Sequence, residues 1–331
     1  MLQLVFVSTL VALSVTPVRA STCDGPQDCC VQGVNHDGRH RVMSLGVVIM
    51  GLSNINERSG TWDGDFYLFE EWPPNTNFTP ETEIVNEIER HSTQFDVTEI
   101  VEGRCHRSRR ILSTLRTAYD LRRFPFDHQQ LAIEISDDEY STSELTYGDQ
   151  PYAAGFEDVA HTTLSSWKID SEPTFAHRPR AFAWEHGAPP YDNATIQFEV
   201  RRHVTFHLFK YFLPLLVIVA LAFSVFWIDP DDLSAAATVG VTCLLAAIAF
   251  QFAEASTLPE VSYMTLADRV YIVCYVAIGS ALLETVFSSQ LARRGEKPRA
   301  VQFDRWCRAV FPACTLIAII ASVIRAFTQA N

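Results

Sequence analysis

The residues best placed to do chemistry lie three and four apart along an uncharged run, Leu233–Ala253. If that run is helical, Thr238, Thr242, Leu245, Ala249, Phe252 and Ser256 share one face, with Ser234 one turn earlier. Hydroxyls can replace part of the water around a passing ion, and a ring of Leu245 or Phe252 would form a constriction that dewets. Asp229, Asp231 and Asp232 stand just before the run, where a ring of carboxylates would favour cations. The same residues fit a second reading. Threonines in a buried helix bond their own backbone, and the aspartates could only cap the helix and end the preceding run. The sequence holds no Gly-rich phosphate loop, zinc spacing or nucleophile elbow, so neither an enzyme nor a cofactor or metal is expected. Cys29-Cys30 with His36 and His40 fits no zinc pattern.

The elements that must position this face are membrane spans. Tyr211–Ile228 is long enough and uncharged enough to cross a bilayer, and Val270–Phe287 and Ala309–Ile324 follow as further candidates. Arg293, Arg294, Lys297, Arg299, Arg305 and Arg308 sit between the last two, whereas Glu254, Glu260 and Asp268 face only Arg269 between the second and third. The basic linker is therefore cytoplasmic, and both termini lie outside, extracellular or periplasmic, at the plasma (inner) membrane. A short apolar run, Leu4–Val15, ending in Val18-Arg19-Ala20, agrees as a secretory signal. The exported cysteines Cys23, Cys29, Cys30 and Cys105 are free to form disulfides.

The polar part between signal and spans reads as strands: Arg41–Met50, Asp65–Trp72, Ile111–Tyr119, Leu131–Ile135 and Thr195–Val200. Asp63-Gly64, Pro73-Pro74, Gly148-Asp149 and Gly187–Pro190 are the turn signals between them. The spacing suggests an all-β sandwich. Residues 21–205 hold 30 Asp and Glu against 16 Lys and Arg, more than the whole chain's net charge of -13. Such a surface excludes nucleic acid and attracts cations.

Phe124-Pro125-Phe126-Asp127, with Gln129 beyond, is the first family-specific signal. Trp227-Ile228 closing a span that contains Pro214 is the second, and Leu258-Pro259-Glu260-Val261-Ser262-Tyr263 with Asp268 and Ser280–Glu284 the third. In these the chain resembles the Cys-loop, or Pro-loop, family of pentameric ligand-gated ion channels. Thr117 and Leu131 stand where animal members carry the bracketing cysteines, which resembles the prokaryotic branch that lacks that disulfide. The resemblance implies that the second span lines a pore. Anion-selective relatives carry Pro-Ala-Arg where this chain has Ser234-Ala235-Ala236, and the glutamate common in cation channels is missing at Ala235. The resemblance also puts an aromatic agonist box between neighbouring subunits, a setting that suits cationic amines. Its residues here would be Phe182, Trp184 and Tyr191 on a capping hairpin, Asp138 and Tyr140 on a middle loop, and Tyr67 on the adjacent subunit. Each aromatic could equally be a core residue. His177, His186 and His203 lie near this region, and protonation is a second route to gating. Coupling to the membrane would run through Pro125, Phe126 and Asp127 against Leu258 and Pro259, with Arg202 as the ionic partner of Asp127.

The expectation is thus a mainly-β extracellular sandwich plus an all-α four-helix transmembrane domain, in a homopentameric channel architecture. The boundaries are a signal at 1–20, an extension at 21–41, the ligand-binding sandwich at 42–205 and the membrane domain at 206–331. Its spans are 207–228, 233–255, 266–288 and 306–327. The partners implied are a small-molecule agonist (amine-like, or protons), permeant inorganic cations and the lipid bilayer. A non-conducting, membrane-anchored ligand sensor is the alternative, and an exported hydrolase a distant third. Asn77-Phe78-Thr79 and Asn193-Ala194-Thr195 match the glycosylation pattern, which a bacterial source would make accidental.

Overall fold

The computed structural model describes residues 26, 29, 38–74, 78–158, 160, 164, 166–181, 189–256 and 258–328. The signal at 1–20, Cys23 and Cys30, His36, Asn77, Phe182, Trp184 and His186 lie outside them. Eleven strands among these residues form two sheets. The first contains β1 (Arg41–Asn56), β2 (Thr61–Trp72), β4 (Glu87–Val101), β5 (Arg104–Arg116), β7 (Leu145–Tyr147) and β8 (Ala154–Phe156). The second contains β3 (Thr82–Ile84), β6 (His128–Ser141), β9 (Trp167–Ile169), β10 (Thr174–Arg180) and β11 (Tyr191–Arg202). β2 alternates strictly between buried and half-exposed residues, the mark of a strand with one face on a core. Trp62 reaches across to Phe198 of the other sheet, edge to face at 5.8 Å. A disulfide between Cys29 and Cys105 fastens the segment before β1 to the start of β5.

Asp63-Gly64 is not a turn. It lies inside β2, paired with β1, and the hairpin turn falls earlier, at Glu57–Gly60, with Gly60 at φ +69°. Gly64 is required for packing instead, since a Cβ there would meet Cζ3 of Trp62 at 2.9 Å. β4 has no apolar face; its Ile88, Phe95, Val97 and Ile100 are exposed at a sheet edge.

Among the described residues, four helices are long and apolar enough to cross a membrane: α1 (Val204–Trp227), α2 (Leu233–Ala255), α3 (Leu266–Arg293) and α4 (Lys297–Thr328). α1 begins before the span expected at 207–228, and α3 and α4 outrun those expected at 266–288 and 306–327, since both continue as helix through the basic linker to the turn at Gly295 (φ +85°). Pro214 has no N–H to offer the preceding turn, and α1 widens to a π-turn over Leu208–Phe212 just before it. Asp232 caps α2 by accepting from Ala235 N–H at 3.1 Å. Thr265 and Asp268 close a capping box on α3.

α2 packs on α1 and α3 through Ala236, Gly240, Cys243 and Ala247. A Cβ on Gly240 would stand 2.6 Å from Cγ of Leu282. Gly240→Val is expected to destabilise the bundle by about 1–3 kcal/mol through overpacking. Gly279→Ala, where nothing lies within 4 Å, should be neutral or mildly stabilising. Thermal unfolding in detergent distinguishes the two.

Candidate functional site

The face of α2 opposite this packed side is uncovered in a single chain. Ser234, Thr238, Thr242, Ala249 and Ser256 are exposed, Leu245 is 62% exposed and Phe252 73%. All seven residues of the expected stripe therefore point the same way, polar at the cytoplasmic end and apolar beyond. Thr238 Oγ1 donates to Ser234 O (2.8 Å) and Thr242 Oγ1 to Thr238 O (2.7 Å). Their protons are committed to the helix backbone, so the hydroxyl oxygens face outward as acceptors.

Each of the three aspartates before α2 has a partner within the chain. Asp232 is the cap of α2. The other two are held by Lys297 at the start of α4, whose Nζ lies 3.0 Å from Asp229 Oδ1 and 2.6 Å from Asp231 Oδ2. Asp231 N–H also donates to Asp229 Oδ1 (3.1 Å).

On the outer domain, Tyr67 lies half-buried on the outer face of β2. It stacks on Phe69 (5.9 Å), with the Arg110 guanidinium 5.7 Å from its ring and bound in turn to Asp65 by two hydrogen bonds (3.0 and 2.8 Å). Asp138 is exposed on β6, and Tyr191 opens β11 opposite Ser141. Tyr67 lies on the first sheet and this pair on the second. Tyr140 is not presented to any ligand. It is 1% exposed, packed edge to face on Phe78 (4.9 Å) beneath Arg41 (5.9 Å). His177 is pinned between Asp192 (3.0 Å) and Asp149 (3.2 Å). Asn193 is buried within β11, so its glycosylation pattern is not displayed.

The neighbour of Asp138 matters more than expected. Asp137 is 1% exposed, and burial pushes its carboxyl up to about 7 against the pull of three backbone donors, Glu81, Glu139 and Tyr140, with the nearby Glu70 charge adding to the rise. The neutral form is the one the fold prefers. Stability from this group is fully present below about pH 4, declines as pH rises, and levels off above about pH 7, a span of a few kcal/mol. Thermal unfolding between pH 4 and 8 should show that decline, and Asp137→Asn should flatten it whatever its absolute stability.

The base of the outer domain is the most tightly built region. Asp127 is 1% exposed and receives two hydrogen bonds from Arg202, Nε to Oδ1 at 2.8 Å and Nη2 to Oδ2 at 3.0 Å. Gln129 Nε2 donates to the same carboxylate at 2.6 Å, and Glu57 from the β1–β2 turn meets Arg202 Nη1 at 2.6 Å. The guanidinium lies between the rings of Trp167 (4.2 Å) and Phe124 (4.9 Å). Phe124-Pro125 is a cis peptide. Asp127 thus faces into the domain, and Phe126, 36% exposed, packs 6.2 Å from Phe327 at the end of α4. The α2–α3 linker is met by the residues just before. Leu121 N–H donates to Tyr263 Oη (2.9 Å), Arg122 lies over the Tyr263 ring (4.6 Å), and Leu266 N–H donates to Arg122 O (3.0 Å). Leu121, Phe124 and Ala267 form a small core on which Leu258 packs, while Pro259 is half-buried in the linker. Arg58 reaches Ser256 O at the outer end of α2 (3.2 Å). Glu57, Arg122, Trp167 and Lys297 were not singled out in the sequence, where each is one charged or aromatic residue among many.

Residues 211–313 match the family model of the neurotransmitter-gated ion-channel transmembrane region. The chain is 29% identical over 275 residues to a gamma-aminobutyric acid receptor subunit beta of Caenorhabditis elegans, covering 73% of this chain and 48% of that protein. It is 26% identical over 257 residues to a proton-gated ion channel of Gloeobacter violaceus, covering 77% and 69%. It is 25% identical over 236 residues to pH-sensitive chloride channel 2 of Drosophila melanogaster, covering 67% and 43%. The chain spans about half the length of the animal relatives it matches. With an outer β-sandwich on four helices long and apolar enough to cross a membrane, and these matches, the chain is a multi-pass membrane protein that is similar to pentameric ligand-gated ion channels and carries their neurotransmitter-gated transmembrane region at residues 211–313.

Proposed function

We propose that five copies of this chain assemble around α2 as a channel that passes cations. A small agonist, either a cationic amine or the proton, opens it by binding between neighbouring outer domains. The observation that carries this is the α2 stripe, seven exposed uncharged residues opposite a face packed tightly on α1 and α3. A membrane anchor needs no such stripe, which counts against a non-conducting sensor. Outward-facing hydroxyl oxygens at Thr238 and Thr242 and the acidic outer domain support cations. The agonist classes agree with the names of relatives described as gamma-aminobutyric acid receptor subunits and a proton-gated channel.

Chloride permeation is the second reading. A relative named as a chloride channel and the capture of Asp229 and Asp231 by Lys297 favour it. Expression in oocytes, with amines, amino acids and pH steps applied under sodium and chloride substitution, separates the readings. A ligand-evoked current that reverses with the sodium gradient supports cations, and one that follows chloride overturns that part. Silence across the panel, with pentamers confirmed at the surface, moves the weight to the sensor.

A further inference from the structure

We propose that Lys297 sets the charge presented at the cytoplasmic mouth of the pore by holding Asp229 and Asp231 in a clamp between α4 and the α1–α2 turn. This rests on the channel reading above. The ammonium sits 3.0 and 2.6 Å from the two carboxylates, and both aspartates lie within four residues of the first residue of α2. Lys297 is the first residue of α4, the end of a helix where a cation is disfavoured by the dipole. Helix stability therefore does not explain a lysine there; the two facing carboxylates do.

The clamp is held in register by contacts further along α4. Arg308 donates twice to Phe226 O (3.1 and 3.0 Å) and lies over the Trp227 ring (4.9 Å), and Ser288 of α3 donates to Asp304 at 2.6 Å. These contacts fix the start of α4 beside the turn. α4 packs on α3 and α1, on the side of the bundle away from the exposed α2 stripe, so the clamp draws the carboxylates toward the periphery. Asp232, engaged as the cap of α2, is outside it. All three clamp residues are about half exposed, so the pair contributes little to folding and its main effect is on the local field.

The test is the reversal potential of Lys297→Gln in asymmetric sodium chloride at low ionic strength. A single charge about 8 Å from a permeating ion in water alters its local concentration by a factor of about two. Five subunits should therefore shift the cation-to-anion permeability ratio toward cations by at least about that factor. Lys297→Arg should restore the wild-type ratio, and the shift should shrink at high salt. Asp229→Asn/Asp231→Asn, which keeps the lysine, should move the ratio the other way and serves if Lys297→Gln assembles poorly. The shift is toward cations whether the wild type prefers sodium or chloride, so the sign of wild-type selectivity is read separately. A conducting wild type whose ratio neither variant moves overturns this proposal alone. A silent wild type, with pentamers at the surface, removes the channel reading and this proposal together.

Discussion

Arg202→Ala should abolish agonist-evoked current, through failed assembly or lost coupling. The guanidinium is 6% exposed and satisfies Asp127, itself 1% exposed, through two parallel hydrogen bonds while also holding Glu57. Removing it leaves two carboxylates without their cation at the base of the domain. Breaking a buried pair from one side costs about 3–5 kcal/mol, a large part of a domain's whole stability. The position magnifies the effect, since Arg202 is the last residue of β11, two before α1. It joins the Pro-containing loop, the β1–β2 turn and the first membrane helix at one point. Arg202→Lys keeps the charge but not the planar fork, so it should be intermediate. Asp127→Asn should impair current less than Arg202→Ala, because Glu57 still pairs with the arginine. Surface biotinylation alongside current recording separates assembly from gating. Normal currents from Arg202→Ala at normal surface density would contradict the account.

Leu245→Ser should open the channel at lower agonist concentration, or without agonist. Leu245 stands mid-stripe, beyond the hydroxyl-lined turn of Thr238 and Thr242, and is 62% exposed in the single chain. In the proposed pentamer, five such side chains would close a dewetting ring at rest. A serine removes that apolar surface from every subunit at once while leaving the packed residues Ala236, Gly240, Cys243 and Ala247 untouched. Burial of one methylene is worth about 0.8 kcal/mol, so losing several across five subunits biases the closed–open equilibrium by well over the ~1.4 kcal/mol that makes a tenfold change. The half-activating agonist concentration should fall by about tenfold or more. A rise, or no change, would place the closing barrier elsewhere on α2.

Much of this was legible in the sequence because it depends on period and composition. The α2 stripe follows from three- and four-residue spacing and the spans from uncharged length, while the Arg202–Asp127 pair was implied by the family resemblance around Phe124–Asp127. What was not legible depended on three-dimensional neighbours. β4 has charged and polar residues on both faces because it lies at a sheet edge, so it shows no alternation. Asp63-Gly64 has the chemistry of a turn, yet Gly64 is needed to clear Trp62 within a strand. Tyr140 and Asp138 look alike as candidates and, being two apart, would share a face of a regular strand, but β6 breaks its alternation between Ser136 and Ser141 and leaves Asp138 exposed while Tyr140 is buried. The basic linker hid Lys297, since only folding brings it to aspartates 66 and 68 residues earlier.

The most direct test of the central claim is thiol accessibility along α2. Cysteines placed singly at Thr238, Thr242, Leu245 and Ala249, and at the packed positions Ala236 and Ala247, would be exposed to a charged methanethiosulfonate during agonist application. Block is expected at the first four positions, none at the last two, and no effect on the wild type. Equal modification at both sets, or modification at neither in a conducting channel, would contradict a pore lined by this face.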